Sequence, residues 1–118
     1  MEIEAATEEA LFTDALHAVG ELLEDDVSGP QVLREVTVNG HERAALLVLW
    51  LDELVFLAET EDLVPEDVEQ MELSERGLVA MVRCRRGRPR HVVKGATYHD
   101  LAFERSAGCV RARVVLDV

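Results

Sequence analysis

With 118 residues, 48% of them apolar, the chain is long enough for one hydrophobic core and too short for two, so one domain over residues 1–118 is expected and disorder is disfavoured. A net charge of −12 argues against a general nucleic-acid binder, because basic side chains that neutralise phosphate supply most non-specific affinity; a protein or a cation is the better partner. The charge is also uneven: residues 1–75 hold 21 acids against 2 bases, residues 76–118 hold 3 against 10, and the fold must bring the two signs together.

Taken in order, Glu2-Ile3-Glu4-Ala5 alternates like the stub of a strand. Thr7 is placed as an N-cap, and Glu8 and Glu9 put negative charge at the positive end of the helix that follows. Leu11, Ala15, Val19 and Leu22, with Phe12, Leu16 and Leu23 beside them, make one apolar stripe and predict a helix from Glu8 to Glu24. Asp25 to Pro30 breaks it. Val32, Val36 and Val38 then alternate with Leu33, Glu35 and Thr37 as a strand with one mostly buried face that Asn39-Gly40 closes. From Glu42 to Ala58 nearly every position is apolar apart from Asp52-Glu53, which predicts a central helix covered on most sides, with Trp50 and Phe56 in the core.

An acidic turn is expected from Glu59 to Asp62, followed by a strand around Val68 to Leu73 whose facing the alternation leaves open. Leu78 to Arg86 is a clearer strand, with Ala80, Val82 and Cys84 on one face and Val79, Met81 and Arg83 on the other. Thr97 to Arg105 and Val110 to Val118 pair as a hairpin around Ser106-Ala107-Gly108. Strand, helix, strand, helix and then consecutive strands argue for an α+β fold: a two-layer sandwich with a mostly antiparallel sheet and two helices packed on one face.

Cys84 and Cys109 match neither a secreted disulfide framework nor a metal-ligand spacing, so reduced, strand-borne thiols are expected. The acidic amino terminus lacks the pattern of a signal peptide, and the apolar run from Ala44 to Ala58 is too short for a membrane span; a cytoplasmic protein without membrane contact is expected. Arg83, Arg85, Arg86, Arg88 and Arg90, with His91 and Lys94, form a basic segment that either contacts phosphate or an acidic partner or balances the acidic first half; charge balance is preferred. Glycine-rich phosphate loops, nucleophile elbows and histidine pairs at helical spacing are absent. Asp52 and Glu53 diverge by about 100° on a helix and make a poor carboxylate pair.

The chain ends Val114-Val115-Leu116-Asp117-Val118. An aspartate beside the terminal carboxylate puts two negative groups together, which suits a hard cation; taken alone, a terminal aspartate is more often a solvated charge. His99 and Asp100, adjacent on a strand, should point to opposite faces, and His99 would approach Asp117 only in one register of the hairpin.

Val93-Lys94 followed by Ala96-Thr97-Tyr98-His99, with the final Leu116-Asp117-Val118, resembles the carboxy-terminal signature of the archeases, protein cofactors of RtcB-type RNA ligases. Leu46 to Leu54 resembles that family's second helix and Thr7 to Phe12 the start of its first. The resemblance implies the two-layer fold and a protein that is not an enzyme but helps an RtcB-type ligase become guanylylated and turn over repeatedly in tRNA splicing or RNA repair. It further implies a divalent cation, Ca2+ or Mg2+ or Mn2+, at Asp117 and the Val118 carboxylate. Lys94 and His99 would contact the partner or its nucleotide, and no stable nucleic-acid binding of its own is expected.

In the family an aspartate of a His-Thr-Ala-Asp segment completes the cation site. Aligned on Glu2 to Ala5, that segment falls upstream of Met1, and a late start or a trimmed chain is expected rather than a lost site; the chain as given would hold the ion weakly. Two other classes stand beside this reading: a small metal-dependent hydrolase using the same carboxylates, and an acidic adaptor or chaperone-like module.

Overall fold

The computed structural model describes residues 1–23, 29–87 and 95–117. Eight elements follow one another: β1 (Glu2–Ala5), α1 (Glu8–Leu23), β2 (Gln31–Asn39), α2 (Arg43–Glu61), β3 (Leu63–Ser74), β4 (Gly77–Arg86), β5 (Gly95–Ser106) and β6 (Cys109–Asp117). The strands form two three-stranded antiparallel sheets in the orders β1-β6-β5 and β2-β4-β3. The α+β, antiparallel expectation therefore holds, with the strands divided between two sheets. Both helices pack against strands of both sheets, α1 against β1, β3 and β6 and α2 against β2, β3 and β5.

Local chemistry explains the helix limits. Thr7 Oγ1 accepts from Ala10 N at 3.1 Å, the expected cap of α1, and Leu11, Phe12, Ala15, Leu16, Val19 and Leu23 are buried along one stripe. Glu24, the predicted last residue of this helix, lies outside the described residues. Glu42 starts α2 by accepting from Ala44 N and Ala45 N at 3.0 and 2.9 Å.

The acidic turn expected at Glu59 to Asp62 is instead the last turn of α2. Its side chains tolerate a helix, and the chain leaves it only at Asp62, whose backbone adopts the left-handed conformation (φ 53°) that aspartate accepts more readily than bulkier residues.

Trp50 is fully buried, and its Nε1 donates to Phe12 O at 3.0 Å, joining the two helices. Phe56 departs from expectation: it is 57% exposed. Leu49, Glu53 and Phe56 recur at helical spacing on the one stripe of α2 that neither sheet nor α1 covers, so hydrophobicity alone did not place Phe56 inside.

The unresolved facing of β3 also has a cause. Register shifts between Pro65 and Asp67 and between Val68 and Gln70 insert extra residues, so Val68, Met71 and Leu73 all pack toward the core although simple alternation would separate them. β3 is an edge strand, where a proline is tolerated. On β4, Ala80, Val82 and Cys84 share one face as expected, and with Leu78 that face is the buried one.

Candidate functional site

β6 is the middle strand of its sheet, held by β1 on one side and β5 on the other. Its final described residue, Asp117, is exposed and pairs across the ladder with Gly95, while Leu116 pairs with Ala96. Helix α2 reaches this same corner. The half-buried Asp52 accepts a hydrogen bond from Ala96 N through Oδ1 at 2.7 Å, across 44 residues of sequence. Gly95 has φ +148°, and a Cβ on it would lie 2.8 Å from that oxygen. Asp52, Gly95 and Asp117 thus bring three elements together. Divergence from Glu53 ruled Asp52 out as half of a carboxylate pair, but the structure assigns its carboxylate a backbone partner. The acidic pair Asp52-Glu53 interrupting an apolar helix was the available signal.

His99 is not opposite Asp117. The register of β5 on β6 shifts between Thr97 and Ala102, so the residues between them bulge out, with Asp100 at φ +54°. The bulge also overturns the expectation that His99 and Asp100 face apart: His99 Nε2 lies 3.3 Å from Asp100 Oδ2, because the left-handed residue breaks the pleat alternation. Both side chains are exposed, as is Tyr98. Lys94 and Val118 lie outside the described residues.

Of the described residues of the basic segment, Arg83 and Arg85 pair with acids, as charge balance expects, and Arg86 donates to the Glu61 carbonyl at 3.4 Å. Arg83 pairs with Asp67 at 3.4 Å and Glu69 at 2.5 Å, and Arg85 with Glu66 at 3.1 Å. Arg88, Arg90 and His91 lie outside the described residues. The same logic runs across the other sheet, where Glu2 and Glu4 of β1 sit opposite Arg113 and Arg111 of β6 and pair with them. Glu8 at the start of α1 meets both Arg43 and Arg105.

Both cysteines are free thiols on strands. Burial pushes Cys84 up to about 11. Cys109 is raised by its hydrogen bond to Glu4, which accepts from Sγ at 3.1 Å.

Among the described residues no three His, Cys, Asp or Glu side chains gather as a metal-binding group. Asp117 offers one carboxylate, and Asp52 Oδ1 is committed to Ala96. The described residues do not by themselves make the oxygen-rich shell a Ca2+ ion takes. The other end of the sheet edge is informative: Met1 N donates to Val114 O at 3.0 Å and Val114 N to Met1 O at 3.0 Å. Any residues joined to the Met1 amine in this antiparallel register would run past Val115 toward Asp117.

Among the described residues no helix is long and apolar enough to cross a membrane.

The family model of the Archease protein family matches residues 1–118. The protein archease of Methanopyrus kandleri is 32% identical to this chain over 123 residues, covering 97% of this chain and 88% of that protein. That of Methanosarcina mazei is 31% identical, covering 95% of this chain and 84% of that protein. The crystal structure of an archease, a possible chaperone, from Thermotoga maritima shares the fold at a TM-score of 0.74 and 19% identity, covering 100% of this chain and 88% of that one. The solution structure of Methanobacterium thermoautotrophicum protein 1598 matches at a TM-score of 0.71 and 26% identity, covering 99% and 89%. With a family match along its whole length, relatives that align over nearly all of it and the same arrangement of strands and helices, this chain belongs to the archease family.

Proposed function

We propose that this protein is a non-enzymatic cofactor of an RtcB-type RNA ligase in the cytoplasm, promoting guanylylation of the ligase's active-site histidine and repeated turnover in tRNA splicing or RNA repair. Membership of the archease family supports the reading. The observation that carries it within the molecule is Asp117, an exposed carboxylate at the end of a central strand, beside a Gly95-Ala96 backbone tied to α2. In this reading the corner formed by Asp117 and the start of β5, with Lys94 directly before Gly95 in sequence, is the surface offered to the ligase or its nucleotide. His99 contributes from the neighbouring bulge. A divalent cation at Asp117 needs ligands from outside the described residues, the Val118 carboxylate and an aspartate joined upstream of Met1, and no step of the proposal passes through it.

Guanylylation of a purified RtcB-type ligase, followed over one and many turnovers, tests the proposal. The chain should stimulate both, and Asp117→Ala should reduce the stimulation about tenfold, the worth of one lost charge-assisted contact. Because Asp117 is exposed, the same change should leave stability within about 0.5 kcal/mol. Stimulation that survives Asp117→Ala would replace this mechanism by plain adaptor action, and a wild-type chain without effect on the ligase would end the ligase reading.

A further inference from the structure

The role of Asp52 goes beyond family membership. β5 is the outer strand of its sheet, and at its first residues the ladder to β6 is built only from Gly95↔Asp117, Ala96↔Leu116 and Thr97↔Val115 before the register breaks. Ala96 N donates to Asp52 on α2. An amide on the open edge of a sheet would otherwise depend on water. Asp52 itself sits on a firmly seated helix, since its neighbours Leu51, Leu54 and Val55 are buried. The 2.7 Å distance falls in the range of charge-assisted bonds. Gly95 completes the fit twice over: its φ of +148° disfavours a side chain, and a Cβ there would press on Asp52 Oδ1.

From these observations we infer that Asp52 is a positioning residue: its carboxylate clamps the edge of β5 to α2 and so fixes the backbone that lies across from Asp117. This rests on the proposed ligase function for its consequence, while the clamp itself does not. Only an acceptor oxygen at the right place is required, so asparagine should serve and alanine should not. A residue acting through its negative charge, on a cation or on a basic partner, would fail with either substitution.

Amide hydrogen exchange read by NMR, alongside ligase guanylylation, tests this on the full chain. In Asp52→Ala, exchange at Ala96 should speed up about tenfold or more while amides of β4 keep their wild-type rates, and stimulation of the ligase should fall. Asp52→Asn should keep Ala96 exchange within about threefold of wild type and retain stimulation. Should Asp52→Ala fail to fold, Gly95→Ala probes the clamp from the other side and should also release the Ala96 amide. Unchanged Ala96 exchange in Asp52→Ala, or in Gly95→Ala where that variant stands in, overturns the inference. So does an Asp52→Asn protein that behaves like the alanine variant, or an Asp52→Ala protein that loses Ala96 protection yet stimulates fully. If the wild-type chain does not stimulate the ligase, the functional reading falls, and Ala96 exchange still decides the clamp.

Discussion

β2 pairs with β4 without a break from Gln31 to Asn39, and β4 buries Leu78, Ala80, Val82 and Cys84 between its neighbours; β5 pairs with β6 only in two stretches separated by a bulge. The second sheet buries Ile3, Val110, Ala112 and Val114, and Ala96, Leu101, Phe103 and Leu116 only in part. The exposed described groups that the sequence marks for function, Asp117 and His99, both lie on this second sheet. A regular ladder commits every second side chain to the core, whereas a bulge frees side chains from that alternation and lets neighbours such as His99 and Asp100 meet. Each sheet has register breaks on an edge strand: those of β3 turn Val68, Met71 and Leu73 to the core, whereas the one in β5 leaves Tyr98, His99 and Asp100 exposed beside the candidate site.

Helix α2 touches both sheets, so the comparison can be broken there first. Trp50→Ala removes the largest buried side chain and the bond from its Nε1 to Phe12 O, and should cost about 3–5 kcal/mol in urea unfolding. One transition common to all probes is expected; separate midpoints for the two sheets would show that they do not share a core.

Turns sharpen the contrast. Gly77, the first residue of β4, has φ +150°, and a Cβ there would collide with the Val38 carbonyl and lie 2.9 Å from Asn39 Cα, so Gly77→Ala should cost about 1–3 kcal/mol. Asp100 in the bulge of β5 has φ +54°, and Asp100→Gly should be neutral or stabilise by up to about 1 kcal/mol, since glycine takes that conformation freely. Denaturation midpoints of the two variants that move the same way would deny the difference between the two positions.

The smallest effect lies where α1 meets β3. His17 Nε2 and Asp67 Oδ1 are 2.9 Å apart, and this bond, helped by Val68 N, holds the Asp67 carboxyl below its ordinary value. A depressed folded value stabilises above the ordinary carboxylate pKa of about 4, and the contribution disappears as pH falls through the depressed value. Asp67 is substantially exposed, so Asp67→Asn should cost under about 1 kcal/mol at neutral pH. Stability curves of the two proteins should converge in acid; a gap that widens there would assign the bond no such role.

Much of the fold was legible. The stripe of α1, the Thr7 cap, the alternation of β2 and β4 and the final hairpin are written in residues a few positions apart, and the structure keeps them. Phe56 was misplaced because its hydrophobicity is local whereas the covering of α2 is not. The β3 facing stayed open because a bulge is invisible to alternation counting. At the candidate site, Asp117 was visible as a carboxylate ending an apolar strand, but Asp52 was not, because its partner is a backbone amide 44 residues away.

Composition and periodicity determined that this chain makes two helices and a run of antiparallel strands, and that its acidic and basic halves must meet, because those properties are set by neighbouring residues and summed charge. Tertiary structure alone decided which partners meet. Glu4 with Arg111, the split into two sheets, the bulge that joins His99 to Asp100 and the clamp of Asp52 on Ala96 all depend on register between distant strands, and register is chosen by packing the whole core at once.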